Sequence, residues 1–284
     1  MKTYDFTNRN VNDYKLEELI YTESYTTDHI ISIPHGGTLI PADLETRFEL
    51  NDGISLGTDL HTPEIYNNSK GIVITARLNR NIIDLNRSRE GSKDLDAPLH
   101  LKQDPFTSIY GKDTPQNNVP SEKDRILLLS YYDLYHSNLE KQIQSMISRE
   151  GYALMFDCHS MNPKGLKNAP DEGNERSDFV IGTVNGESAD EYLINFFYET
   201  LKDKAPVMGL TVKLNYPYSG GFITRHHSDP DKGVHVIQLE INKSTYIDYS
   251  NGEPKLSRTK SCFMKKLISE TFQSTAEIAK EIIS

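Results

Sequence analysis

The chain is short of positive charge: 31 lysines and arginines stand against 41 aspartates and glutamates over 284 residues, a formal net charge of −10. That balance argues against nucleic acid as a partner, because such proteins carry a strong basic patch. Small anionic substrates stay open where arginines are focused in a cleft. No run of 18 apolar residues occurs, so no membrane span is expected. The opening Met1-Lys2-Thr3-Tyr4-Asp5 lacks the apolar stretch of a signal segment. Cysteine is scarce, with only Cys158 and Cys262, which excludes a disulfide framework and fits a cytoplasmic location. Cys158 adjoins His159 and raises the idea of a thiol nucleophile, but strand alternation would turn it to the opposite face. No internal repeat, low-complexity linker or domain boundary is visible, so one domain over 1–284 is expected.

What is present is an alternation of apolar β-like runs and amphipathic stretches. Hydrophobic residues make up 36% and charged residues 25%, which suits a globular enzyme. Strands are predicted at 29–34, 71–76, 81–85, 152–157, 178–183, 211–214 and 234–241, most of them rich in β-branched residues. A long helix is predicted from Ser121, a plausible N-cap, to Glu150 before Gly151. Its Leu128, Tyr132, Tyr135, Leu139, Ile143 and Met146 recur at steps of three and four and form one buried stripe. Further helices are expected at 189–202 and 261–283, and a short one from Thr62, with Thr62 as cap and Pro63 as first helical residue. The alternation predicts an α/β fold with a mixed, mainly parallel central sheet flanked by helices. Two polar stretches, 89–119 and 161–177, read as long surface loops able to fold over a site.

Two histidines mark the candidate site. His35 follows Ile30-Ile31-Ser32-Ile33-Pro34 and precedes Gly36-Gly37. The proline stiffens the strand exit, and the glycines let backbone approach a ligand closely. His159 ends a run through Leu154-Met155-Phe156-Asp157-Cys158. Side chains at strand ends gather at one sheet edge, where ligands bind, and two neutral imidazoles there can share a metal. Asp157 lies two residues before His159, on the same strand face, as an orienting carboxylate would. Asp59 and His61, ahead of the short helix, could add a ligand or serve only as loop and cap residues. Asp84 needs a partner, for which Arg80 and Arg87 are candidates. Those arginines suit an oxyanion or substrate carboxylate, or else a structural ion pair. Glu240 is the polar residue of an apolar strand, sharing a face with Val234, Val236 and Gln238. It reads as a general base or as half of a buried ion pair. Together these residues form the inventory of a hydrolytic zinc site.

The segments Ile33-Pro-His35-Gly-Gly, Thr58-Asp59-Leu-His61, Ile83-Asp84-Leu-Asn86-Arg87, Asp157-Cys-His159-Ser160, Gly220-Gly-Phe-Ile-Thr224-Arg225-His226 and Gly233-Val-His235-Val-Ile-Gln238-Leu-Glu240 run in order along the chain. In that set the chain resembles the N-formylglutamate amidohydrolase (formylglutamate deformylase) family, over roughly residues 30 to 250. The resemblance implies a zinc-carboxypeptidase-like fold and hydrolysis of an N-formyl or N-acyl amino acid, foremost N-formyl-L-glutamate to formate and L-glutamate. It implies one zinc ion held by His35, His159 and Asp59, with His61 as the alternative third ligand. Carboxypeptidases place a glutamate three residues after the first histidine, whereas this chain has Thr38 there. Glu240 matches the catalytic carboxylate, and Asn86-Arg87 a substrate-binding pair. Arg87 or Arg80 would steady the oxyanion, Arg225 would clamp a substrate carboxylate, and Thr224 would join the substrate-binding set. The loop 89–119 and the stretch after His159 depart from the family pattern. Competing readings are a related zinc amidase or carboxypeptidase with another acyl amino acid or peptide substrate, a metal-free binding protein on the same scaffold, and a cysteine hydrolase using Cys158.

Overall fold

A computed structural model describes residues 10, 13–45, 57–67, 70–91, 104–106, 121–167, 169–205, 209–249 and 254–283. Seven strands form one sheet: β1 (Ile20–Ser24), β2 (Ile30–Ile33), β3 (Ile72–Ala76), β4 (Ala153–Met161), β5 (Phe179–Gly182), β6 (Val212–Leu214) and β7 (Val234–Asn242), in the order β1-β3-β2-β4-β7-β5-β6. The central β3, β2, β4 and β7 run parallel. β1 closes one side antiparallel to β3, and β5 with its parallel neighbour β6 lies antiparallel to β7 on the other. A small β8 (Ile247–Asp248) pairs with β9 (Lys255–Leu256). Six α-helices lie among the described residues, besides four short 3-10 turns: α1 (Ala42–Glu45), α2 (Thr62–Tyr66), α3 (Glu122–Glu150), α4 (Glu191–Lys204), α5 (Phe222–His227) and α6 (Arg258–Ile282).

β2, β3, β4, β5 and β7 are buried on both faces, as parallel sheets are when helices cover them. On one face Ile31, Ile33, Leu154, Phe156, Cys158, Ile237 and Leu239 pack with α2, α4 and α6. Phe156 sits at the centre, stacked 3.9 Å from Phe272 and 5.5 Å from Phe197 between ring centroids. On the other face Ile30, Ile72, Ile74, Met155, Val234 and Val236 meet the stripe of α3. Ser121 caps α3: its hydroxyl accepts from Asp124 N–H at 3.3 Å, and the Asp124 carboxylate accepts from Ser121 N–H at 3.2 Å. Gly151 ends it at φ 84°, a conformation that favours glycine.

Three expectations are corrected. Residues 81–85 form turns rather than a strand. Ile82, Ile83 and Leu85 are buried, but the side chain of Asn79 accepts from Asn81 N–H at 2.9 Å and replaces the ladder with a local turn. The strand predicted at 152–157 continues to Met161, because β7 is long enough to pair with it through Asn242. The cap of α2 is His61 rather than Thr62, and the Thr62 hydroxyl instead donates to Asp59 O at 2.7 Å. The alternation did not reveal β1, an edge strand whose Thr22 and Ser24 are exposed polar positions, or the short α5. Most of 89–119 lies outside the described residues. The stretch after Met161 is a structured loop, bridged at Lys164 to Glu175 and Gly165 to Glu172. Truncation of Phe156 to alanine should lower the unfolding free energy by about 3–5 kcal/mol, read from urea unfolding.

Candidate active site

The site arises where one row of the sheet changes character. On the α3 face, β2 runs from Ile30 to Ser32, β4 from Ala153 and Met155 to Asp157 and His159, and β7 from Val234 and Val236 to Gln238 and Glu240. All these residues are buried. The register sets Asp157 opposite Gln238 and His159 opposite Glu240. The apolar half packs on α3, and the polar half gathers at the carboxyl ends of the parallel strands, where open α/β sheets bind ligands.

Two segments complete the cluster. His35 leaves β2 beside the segment 57–62, which is tied to it by Asp59 N–H to His35 O at 3.0 Å. This explains Gly36-Gly37. A side chain at Gly36 would strike Pro63 and Thr62 at 2.5 and 2.7 Å, and one at Gly37 would strike the backbone of Arg77 and Leu78. The glycines therefore admit neighbouring protein chain rather than a ligand. Asp59 Oδ2 lies 3.2 Å from His159 Nδ1 and 3.7 Å from His35 Nδ1, and it accepts from Ser160 N–H at 3.1 Å. The imidazole centroids are 4.7 Å apart. Each histidine turns Nδ1 to Asp59 and Nε2 to a second carboxylate: His35 to Asp84 at 2.8 Å, His159 to Asp157 at 3.2 Å.

Electrostatics favour positive charge at the centre of the cluster. Burial raises the Asp59 carboxyl, but the hydrogen bond from His159 and the proximity of His35 outweigh it and hold the group ionised, below its ordinary value. Burial opposes charge on His159, yet Asp157 and Asp59 lift it well above the ordinary imidazole range. For Asp84, Arg80 and Arg87 overcome burial and keep the carboxyl well below its usual value. His35, Asp59 and His159 each offer a ligand atom, and these atoms lie within 4.8 Å of one another. His35 Nδ1 is buried with no hydrogen-bond partner. An orphaned imidazole nitrogen beside an ionised carboxylate and a second imidazole fits a divalent metal of the zinc type. His61 lies outside this group, with its ring 3.0 Å from Glu64.

The other expected residues divide. Glu240 joins the cluster end. It is 8% exposed, and burial, followed by the charge of Asp59, pushes its carboxyl up to about 7 despite His159 and two arginines. Arg80 Nη2 contacts Asp84 at 2.6 Å and Arg87 Nη2 lies 3.7 Å from the same carboxylate. The structural ion pair that sequence left open is therefore real, and it is attached to His35. Asn86 accepts from Ile223 N–H at 2.7 Å, which turns its Nδ2 to 3.2 Å from His159 Nε2. Thr224 is fully buried, and its hydroxyl donates to Asp157 at 2.9 Å. It therefore stands behind His159 rather than at a substrate surface. Arg225 is half-buried on α5, donating to Gly220 O and Ser219 Oγ. Cys158 faces the apolar core, and burial pushes its thiol well up, which removes it as a nucleophile.

Sequence reasoning missed how α3 fixes the 84–87 segment. Tyr132 donates to Arg87 O at 2.7 Å, and His136 Nε2 donates to Leu85 O at 3.0 Å. That bond leaves His136 Nδ1 as the acceptor, so His227 Nε2 donates to it at 2.9 Å. The only sequence signal was a histidine on the buried side of the helical stripe. Burial pushes His136 down to about 4 and His227 to about 2 from an ordinary 6.5.

A model of the N-formylglutamate amidohydrolase family matches residues 27–247. The N-formylglutamate deformylase of Pseudomonas putida is 32% identical over 225 residues, spanning 77% of this chain and 81% of that protein. The Pseudomonas aeruginosa deformylase is 28% identical over 229 residues, spanning 77% and 82%. The crystal structure of N-formylglutamate amidohydrolase from Ralstonia eutropha JMP134 superposes with a TM-score of 0.73 at 20% identity, covering 93% of this chain and 97% of that one. An Agrobacterium tumefaciens gene product superposes with a TM-score of 0.65 at 18% identity, covering 91% and 95%. At these identities both structures speak to the fold: mixed α/β, with a mainly parallel sheet flanked by helices.

Two outcomes are expected. Asp84→Asn should weaken any divalent-metal binding at this cluster about 10- to 100-fold by loosening the hold on the His35 ring, measured by competition with a chelating dye. The His136–His227 pair makes stability depend on pH. Above the unfolded value of 6.5 both states hold the rings neutral, and the contribution is complete. As pH falls from 6.5 towards 4 the unfolded chain takes up protons that the folded chain refuses, so stability falls. Denaturant titrations at about pH 7 and pH 5 should show that loss, and His227→Gln should shrink it.

Proposed function

Because the chain belongs to the N-formylglutamate amidohydrolase family, we propose that it is a metal-dependent hydrolase that cleaves the amide bond of N-formyl-L-glutamate to formate and L-glutamate. The observation that carries this reading is the convergence of His35, Asp59 and His159, with Glu240 directly across the β4–β7 register from His159. We take the metal to be a single zinc ion, in keeping with two imidazoles and one carboxylate. We take the architecture to be zinc-carboxypeptidase-like, supported by a mixed sheet with both histidines at the carboxyl ends of adjacent parallel strands. We take residues 1–284 to be one amidohydrolase domain, supported by a single sheet that draws strands from Ile20 to Asn242.

When bound, the metal supplies Lewis acidity, which polarises the formyl carbonyl and lowers the pKa of the attacking water. Glu240 accepts the proton of that water. A carboxyl held near 7 is poised to accept it at neutral pH and to return it to the amine nitrogen as the C–N bond breaks. Asp84 and Asp157 engage the Nε2 atoms of His35 and His159, so both Nδ1 atoms stay turned to the centre. Thr224 and Ser32, hydrogen-bonded to Asp157, fix that carboxylate in turn. Arg80 and Arg87 bring positive charge to the same end, where negative charge develops on the carbonyl oxygen. Asn86 packs against His159 and borders the substrate side. Arg225 is the clamp for a substrate carboxylate, through a planar fork suited to it.

Glu240→Gln should lower kcat for formate release by about 10²- to 10⁴-fold while zinc content and thermal unfolding stay as in the wild type. Undiminished turnover in that variant would remove the base from this scheme.

A further inference from the structure

Lys243 is a buried charge that the hydrolytic scheme does not use. It opens the turn Lys243–Thr245 directly after β7, three residues past Glu240, and is 3% exposed. Among the described residues its ammonium donates only to the side-chain oxygen of Asn162, at 3.0 Å. That acceptor is neutral, and no described carboxylate lies within ion-pair distance of Lys243. A buried ammonium without a counter-charge is strongly disfavoured.

The position of this cation is informative. Burial and the charges of Arg80 and Arg176 push the Lys243 ammonium pKa down, while Asp59 and Glu240 push it up. Lys243 thus shares the field of the metal-ligand carboxylate and of the proposed base. Its neighbour Arg176 is satisfied in another way. It makes two hydrogen bonds to Asp171, at 2.7 and 2.8 Å, and lies over the Tyr218 ring at 5.0 Å. Arg80 and Arg87 are engaged with Asp84. Among Arg80, Arg87, Arg176, Arg225 and Lys243, only Arg225 and Lys243 make no ion pair with a described carboxylate. N-formylglutamate carries two carboxylates.

We propose that Lys243 binds a carboxylate of the substrate, with Asn162 holding its ammonium in place, and so selects an anionic acyl amino acid over a neutral one. The inference rests on the hydrolase reading and gives it a specificity residue on a different element from Arg225, which lies on α5. Substrate binding supplies the direct ion-pair partner that the described residues do not. A lysine, as a compact point charge on a flexible stem, needs no bidentate geometry for this.

The test compares kcat/KM for formate release from N-formylglutamate, N-formylglutamine and N-formylisoglutamine in the wild type, Lys243→Met and Lys243→Arg. The two amides each remove one carboxylate. In Lys243→Met the preference for the dicarboxylate over one of these amides should collapse roughly 30-fold, mostly through KM, and the amide concerned identifies the carboxylate held. Lys243→Arg should keep part of that preference. Each preference is a ratio within one preparation, so a poorly folded fraction does not affect it. Unchanged preferences against both amides in Lys243→Met would overturn the proposal. Absence of formate release from all three substrates by zinc-loaded wild type would instead overturn the hydrolase reading. Titration with glutarate then decides the inference alone: weaker binding to Lys243→Met than to wild type supports it, and equal binding overturns it.

Discussion

A carboxylate held ionised inside the protein organises this molecule. Asp59 lies between two imidazoles, and everything that makes its charge tolerable is also what builds the site. Its backbone is tied to the exit of β2, its carboxylate takes the N–H of Ser160 on β4, and the two rings face it from those strands. A neutral residue there would leave two buried histidines facing each other without reason. Asp84 and Asp157 behind the rings extend the same logic outward: Asp84 is paired with an arginine, and Asp157 accepts hydrogen bonds from two hydroxyls.

The long helix α3 links the core to this charge network. One stripe of it buries leucines and tyrosines against the sheet, and the same stripe ends in hydroxyl and imidazole groups that reach the turn at 84–87. Packing and polar positioning are therefore done by one element. A tilt of α3 would disturb the orientation of His35 through Asp84 as well as the apolar face. The 84–87 segment has few ladder bonds of its own, which is why it depends on this support.

Much of this was legible in the sequence. The pairing of His35 with His159, the shared face of Asp157 and His159 and the odd polarity of Glu240 follow from a period of two and from the cost of burying charge. So does the direction of Cys158 into the core. Other features were hidden because they depend on tertiary partners. Residues 81–85 carry a strand-like composition, yet Asn79 and Asp84 divert the backbone into turns. Gly36-Gly37 looked like a ligand cradle, and only the neighbours at Pro63 and Arg77 reveal a packing role. Thr224 belongs to a motif that suggests substrate contact, but the fold buries it behind a histidine. Lys243 gave no signal at all, since a lysine after a strand is ordinarily a surface residue.

The nine-residue pairing of β4 with β7 has one more consequence. His159 and Glu240 face each other because of backbone register, and slipping one strand by one residue would send its side chain to the opposite face and part the two. Their separation is thus a property of the sheet itself and is not open to gradual adjustment by side-chain replacement. The groups proposed to recognise the substrate sit instead off the sheet, Lys243 in the turn after β7 and Arg225 on α5. Reactivity and selectivity are therefore mounted on different mechanical parts, so descendants of this chain could change what they accept without disturbing how they cut.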